Sequence, residues 1–96
     1  MKTFKMLDIS TGHLSQQDVN LLEDTENLSF TCVSYEEGFF INLSLFETNL
    51  PQMKQEEQRF SPEFFKIIKA ALKEGCTHIN FDRDGEEYEE FTKFEW

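Results

Sequence analysis

Ninety-six residues set the scale of a single domain, residues 1–96, and 19 acidic against 9 basic side chains leave a net charge of −10. A surface of that sign repels phosphate, so the composition excludes unassisted binding to DNA, RNA or an anionic membrane, which needs Lys and Arg to displace counterions, and it fits a basic partner or plain solubility. The opening MKTFKMLDIS has no apolar signal region, no apolar run approaches the ~20 residues of a membrane span, and Cys32 and Cys76 read as reduced thiols, so a cytoplasmic protein is expected.

Residues 4–10 alternate with a period of two, Leu7 and Ile9 against Asp8 and Ser10, which predicts a first strand. Ser15 then opens S-Q-Q-D, a near capping box with Asp18 at the third helical position, and Leu14 and Val19 form a hydrophobic staple. A short helix over 16–24 follows from these signals. Residues 28–35 alternate again: Leu28, Phe30 and Cys32 share one side, and Thr31, Val33 and Tyr35 the other. Glu36-Glu37-Gly38 is a hairpin turn into a third strand over 39–46, FFINLSLF. Residues 47–60 read as a long polar connection. Ser61-Pro62-Glu63 supplies a cap, a proline at the first helical position and an acid in the first turn, so a second helix is expected over 62–74, ending at Gly75. It carries Phe64, Ile68, Ala71 and Leu72 on one face and Lys66, Lys69 and Lys73 on the other. A fourth strand over 77–82 points Ile79 and Phe81 inward, Asp84-Gly85 turns the chain, and an acidic, aromatic tail closes it.

The resulting order, β-α-β-β-α-β, predicts an α+β fold of the ferredoxin-like kind: a four-stranded antiparallel sheet with two helices on one face. The 11 Phe supply much of the core, each aromatic ring burying roughly 150–250 Å². The other face would carry Val33, Tyr35, Phe40 and Phe46, with Phe4 and Met6 beside them. That is too apolar to leave bare. Phe91, Phe94 and Trp96 of the tail, a second subunit or a partner would cover it, so monomer and homodimer both remain open.

Three candidate chemistries stand beside ordinary structural roles. Ser10, Thr11 and His13 in S-T-G-H offer hydroxyls next to a base, as acyl transfer requires. The segment lacks the strand–turn–helix setting of a nucleophile elbow. In an antiparallel sheet the ends of the first and fourth strands lie roughly 17–20 Å apart, which separates His13 from Asp82 and Asp84. Asp82-Arg83-Asp84-Gly85 looks like a cation loop, but its glycine falls at position four rather than six, so an Asp-Gly turn is expected and no metal. The densest negative patch, Asp82, Asp84, Glu86, Glu87, Glu89 and Glu90, is either a solvated face or a surrogate for the phosphate backbone, whose charges in duplex DNA are spaced about 1.7 Å apart. No cofactor motif is present.

I-S-T-G-H-L (Ile9 to Leu14), G-F-F (Gly38 to Phe40), F-D-R-D-G (Phe81 to Gly85) and the terminal F-E-W (Phe94 to Trp96) resemble a small family of proteins from plasmids and other mobile elements. Its pattern is I-S-T-A-H near the start, F-D-A-D-G, and a final F-x-W. Gly12 replaces the family's common Ala, and EEYEE replaces its Gly/Leu/Pro-containing segment. The resemblance implies a mobile-element setting, where small acidic proteins often act as antirestriction or anti-CRISPR factors. The expectation is a non-enzymatic inhibitor that binds a host effector nuclease, or another nucleic-acid-binding protein, through Asp82 to Glu90 with Tyr35 and Phe40. The alternatives are a small hydrolase using Ser10, Thr11 and His13, and an antitoxin-type accessory protein.

Overall fold

A computed structural model describes residues 1 and 3–95, with the side chain of Leu50 left aside. Four strands, β1 (Met6–Ser10), β2 (Cys32–Tyr35), β3 (Gly38–Asn42) and β4 (His78–Asp82), form one sheet in the order β1-β4-β3-β2. Four α-helices among the described residues, α1 (Gln16–Glu23), α2 (Ser44–Thr48), α3 (Leu50–Arg59) and α4 (Pro62–Lys73), complete the α+β fold.

The sheet is mixed, which corrects the antiparallel, ferredoxin-like expectation. β1 pairs parallel with β4, Leu7 opposite Ile79 and Ile9 opposite Phe81, whereas β3 pairs antiparallel with both β4 and β2. The cause is the stretch 47–60, which is helical rather than a polar connection. Asn49 caps α3 by accepting from the Gln52 N–H, and Pro51 sits in its first turn, where a missing N–H costs nothing. The α2–α3 pair carries the chain from the end of β3 back to the end of the molecule where α1 starts; there the Ser61 N–H donates to Asp18 Oδ1. α4 therefore descends beside α1, and β4 enters from the same end as β1 and runs with it. The third strand also ends early, at Asn42. The Asn42 Oδ1 accepts from the Ser44 N–H, turning the chain into α2, so Phe46 drops into the core instead of lining the open sheet face.

The two capped helices match their sequence signals. Ser15 Oγ accepts from the Asp18 N–H and Ser61 Oγ from the Phe64 N–H. Eight of the eleven phenylalanines are buried, and five of them, Phe30, Phe46, Phe60, Phe64 and Phe65, pack ring on ring between the helices and the sheet. Phe64 also stacks over Phe81 of β4, which fixes α4 on the sheet centre.

Residues 83–95 form no helix or strand but follow a defined path. The Ser10 N–H donates to Glu86 O, the Tyr88 hydroxyl donates to Asp8 O, Lys66 Nζ of α4 donates to Glu90 O, and the Phe94 N–H donates to Gly12 O. The tail is thus a strap along the outer side of β1 and across α4. Phe91 is buried under it against His13 and Tyr88, and Phe94 is half-buried. It covers the later half of the β1 edge, at Asp8 and Ser10, and not the open sheet face, where Phe4, Met6 and Val33 remain exposed. The expected docking of Trp96 lies outside the described residues.

Candidate functional site

The parallel pairing gathers chemistry that an antiparallel sheet would have separated. Ser10, Asp82, Gly38 and Tyr35 stand in one row across the strand ends. The Tyr35 hydroxyl lies 2.9 Å from Asp82 Oδ2 and 2.8 Å from Asn80 Oδ1. Burial, and then the hydrogen bond to Asp82, push the Tyr35 phenol above the ordinary tyrosine range, so it stays a neutral donor to the carboxylate. The other oxygen of Asp82 accepts from the Asp84 N–H at 2.9 Å, and Asp82 O accepts from the Gly85 N–H. This is an Asx-type turn, and it consumes Asp82 in structure.

Two glycines hold the row together. A Cβ on Gly38 would sit 1.7 Å from Phe81 O, and one on Gly85 would sit 2.5 Å from Ile9 O. Only the bare backbone lets the β2–β3 hairpin and the turn after β4 approach so closely.

Around this row the exposed carboxylates collect. Asp84, Glu86 and Glu87 leave the end of β4, and Glu36 with the half-buried Glu37 caps the hairpin beside them, where the Arg83 N–H donates to Glu37 O. A shallow cleft of about 350 Å³ between the hairpin, α1 and Thr11-Gly12 adds Glu23, with Arg83 as the basic side chain on its wall. None of these six acids is ion-paired among the described residues. Glu89 and Glu90, grouped with them by sequence, instead follow the strap toward α4. Glu23, Glu36 and Glu37 are the acids that sequence reading passed over: a Glu-Glu-Gly turn signals a hairpin, and nothing local says that the turn lands beside residues 83–87.

The S-T-G-H segment is structural. Ser10 Oγ accepts from the Gly12 N–H at 3.0 Å and caps a 3-10 turn, Thr11–His13. His13 is 1 % exposed. Its Nε2 accepts from the Tyr88 N–H at 3.0 Å, so the proton of the neutral ring sits on Nδ1 and is donated to Thr92 O at 2.9 Å. Both nitrogens serve the strap, and neither is left for Ser10 or Thr11.

A family model described as the family of unknown function (DUF5983) C-terminal domain matches residues 6–96. The chain belongs to this family. No curated protein and no solved structure matches. The DUF5983 match runs from the first residue of β1 through the strap, so it takes in the whole acidic end and the His13 junction.

Phe40, read with Tyr35 as one contact surface, occupies the next row of the open face. In this DUF5983 domain its ring stacks on His78 at 5.1 Å, and Phe4 meets the same imidazole edge-on at 5.4 Å. Asn80, bonded to Tyr35 and opposite Phe40 in the ladder, joins the aromatic patch to the acidic end. Among the described residues no group of three or more His, Cys, Asp or Glu is placed to hold a metal ion, and no helix is long and apolar enough to cross a membrane.

Proposed function

We propose that this DUF5983 domain is a binding module that inhibits a nucleic-acid-handling protein by occupying its basic groove with the acidic end of the sheet. The observation that carries the reading is the convergence of Glu23, Glu36, Glu37, Asp84, Glu86 and Glu87 on one end of the molecule, around a row of strand ends and with no ion pair among the described residues. Clustered carboxylates at fixed positions present a basic groove with the charge it is built to hold, and complementary charge raises association rate and specificity. The resemblance of Ile9 to Leu14 and Phe81 to Gly85 to proteins of mobile elements supports a host defence nuclease, such as a CRISPR effector, as the target.

The test uses purified candidate effector nucleases, with and without bound guide. Reversing the exposed Glu23, Glu36, Glu86 and Glu87 to Lys slows association by about tenfold or more, as does raising salt, because exposed charges are screened beyond about 8–10 Å. The fold is unaffected, since exposed charges contribute only about 0–1 kcal/mol each. Inhibition that survives both the reversal and high salt, or an inhibited complex that still binds nucleic acid at full affinity, overturns the reading.

A further inference from the structure

The far end of the molecule carries a second surface, independent of the acidic one. β1 is an edge strand, and its main-chain groups alternate in direction. Lys5 O faces β4, where it accepts from the Thr77 N–H, so Met6, Asp8 and Ser10 face outward. The strap satisfies Asp8 O through the Tyr88 hydroxyl and the Ser10 N–H through Glu86 O, and it goes no further. Among the described residues no hydrogen bond reaches the outward Met6 C=O or Asp8 N–H, and Met6 and Leu7 line a cleft of about 520 Å³ between β1, the last turns of α4 and the strap. That volume lies within the roughly 300–1,000 Å³ of ligand and peptide clefts. Leu7, Ala70, Ala71, Cys76 and Phe91 give it an apolar lining.

The charges at the rim divide. Lys5 is committed to Glu74, donating to its main-chain oxygen at 2.7 Å, and Lys66 is committed to Glu90 O. The carboxylate of Glu90 on the cleft wall and that of Asp8, whose main-chain oxygen carries the Tyr88 hydroxyl, have no cation among the described residues, and Lys73 stands at the helix side.

We infer that this groove takes an extended segment of a partner protein by strand addition to β1. The segment lays an apolar side chain on the Ala70–Ala71 floor and sets a Lys or Arg beside Asp8 and Glu90. The free donor and acceptor fix the extended backbone, because a strand laid about 4.8 Å from β1 meets both. The small floor residues admit an apolar side chain, and the unpaired carboxylates choose its neighbour. A second copy of this chain fits less well, since Tyr88 and Glu86 block half of the edge and each copy brings a charge of −10.

The experiment is selection of a phage-displayed random-peptide library on the full chain, followed by titration of the recovered synthetic peptides into the 15N-labelled protein. Enriched peptides should share an apolar residue next to Lys or Arg and should shift the amide signals of Met6, Asp8, Ala70 and Ala71. Ala70→Phe, which fills the floor, should weaken binding at least about tenfold with an unchanged melting temperature. Asp8→Lys, on an exposed side chain, serves as the second variant and should remove the preference for basic neighbours. Absence of enrichment above an unrelated protein, shifts confined to the acidic end or the open sheet face, or equal affinity for Ala70→Phe would each overturn the assignment.

Discussion

Two buried polar junctions tie this fold together, and they differ in what holds them. At the first, Asp18 (0 % exposed) joins the starts of α1 and α4: its carboxylate accepts from Ser15 Oγ at 2.8 Å, from the Ser61 N–H at 2.9 Å and from Ser61 Oγ. At the second, His13 joins the loop after β1 to the strap through two main-chain groups, Thr92 O and the Tyr88 N–H. The first is a side-chain network in which each hydroxyl is also a helix cap, so helix starts and tertiary contact reinforce each other. The second is one ring clasping a backbone that has no secondary structure of its own. Polar burial without ion pairing is affordable in both because every buried side-chain nitrogen and oxygen among the described residues has a partner.

The largest effect should come from breaking the first junction. Asp18→Ala strands two buried donors on Ser61 and a half-buried one on Ser15, and at about 1–3 kcal/mol for each, less what water recovers, it should cost about 3–4 kcal/mol in guanidinium unfolding. A loss below about 1 kcal/mol would mean that the helices are held by apolar packing alone.

His13→Ala should cost about 2–3 kcal/mol, with a local signature: amide exchange at Tyr88 and Phe94 should accelerate well before that of β4. His13→Gln, whose amide can both donate to Thr92 O and accept from the Tyr88 N–H, should recover part of the loss. If Gln and Ala behave alike, the junction is packing between rings and not a pair of hydrogen bonds.

Ser61→Ala separates the cap from the network. A working N-cap contributes about 1 kcal/mol, and a larger loss measures the added bond to Asp18. In a double-mutant cycle with Asp18→Ala the two costs should fall short of additivity, because they share one contact.

The smallest effect on stability belongs to a half-buried group, Cys32. Burial raises the Cys32 thiol from 9.0 to about 11, which leaves about 100-fold less thiolate at pH 8 and slows alkylation by about that factor relative to a free thiol. The sign follows from linkage: a folded pKa above the unfolded one means that stability is intact below about pH 9 and declines as pH rises toward 11. Alkylation of Cys32 at the rate of a free thiol would show that its strand opens freely.

The sequence made the first junction legible and the second invisible, for physical reasons. S-Q-Q-D and S-P-E are local signals in which the residues that cap each helix are neighbours in the chain, and both helices begin where those signals place them. Phe64, Ile68 and Ala71 likewise face the core at helical spacing. The failures came where tertiary contacts override local pattern. FFINLSLF alternates well enough for an eight-residue strand, yet one side-chain bond from Asn42 ends it at its fourth residue. α3 carries Gln, Lys and Glu through most of its length, and among its described side chains the buried one is Glu56, held by Arg59 Nη1 at 2.7 Å and the Ser29 N–H at 3.1 Å. A helix that buries a charge has no apolar stripe to display. Missing it reversed the direction assigned to β4, and with it the expectation that His13 and Asp82 lie at opposite ends. His13 itself binds main-chain atoms 75 and 79 residues away, and main-chain partners leave no mark in side-chain identity.

β4 is the last strand made and an inner strand of the finished sheet. On the ribosome, β1 and the β2–β3 hairpin emerge with a strand-wide gap between them, each showing an open edge and an apolar side to the cell. Neither edge can be closed until Asp82 has been added. At about 5–20 residues per second, the 40 residues from 43 to 82 take about 2–8 s. For that interval the nascent chain presents unpaired β edges, which gives chaperones a defined window and makes translation pausing after residue 42 more hazardous than pausing after residue 82.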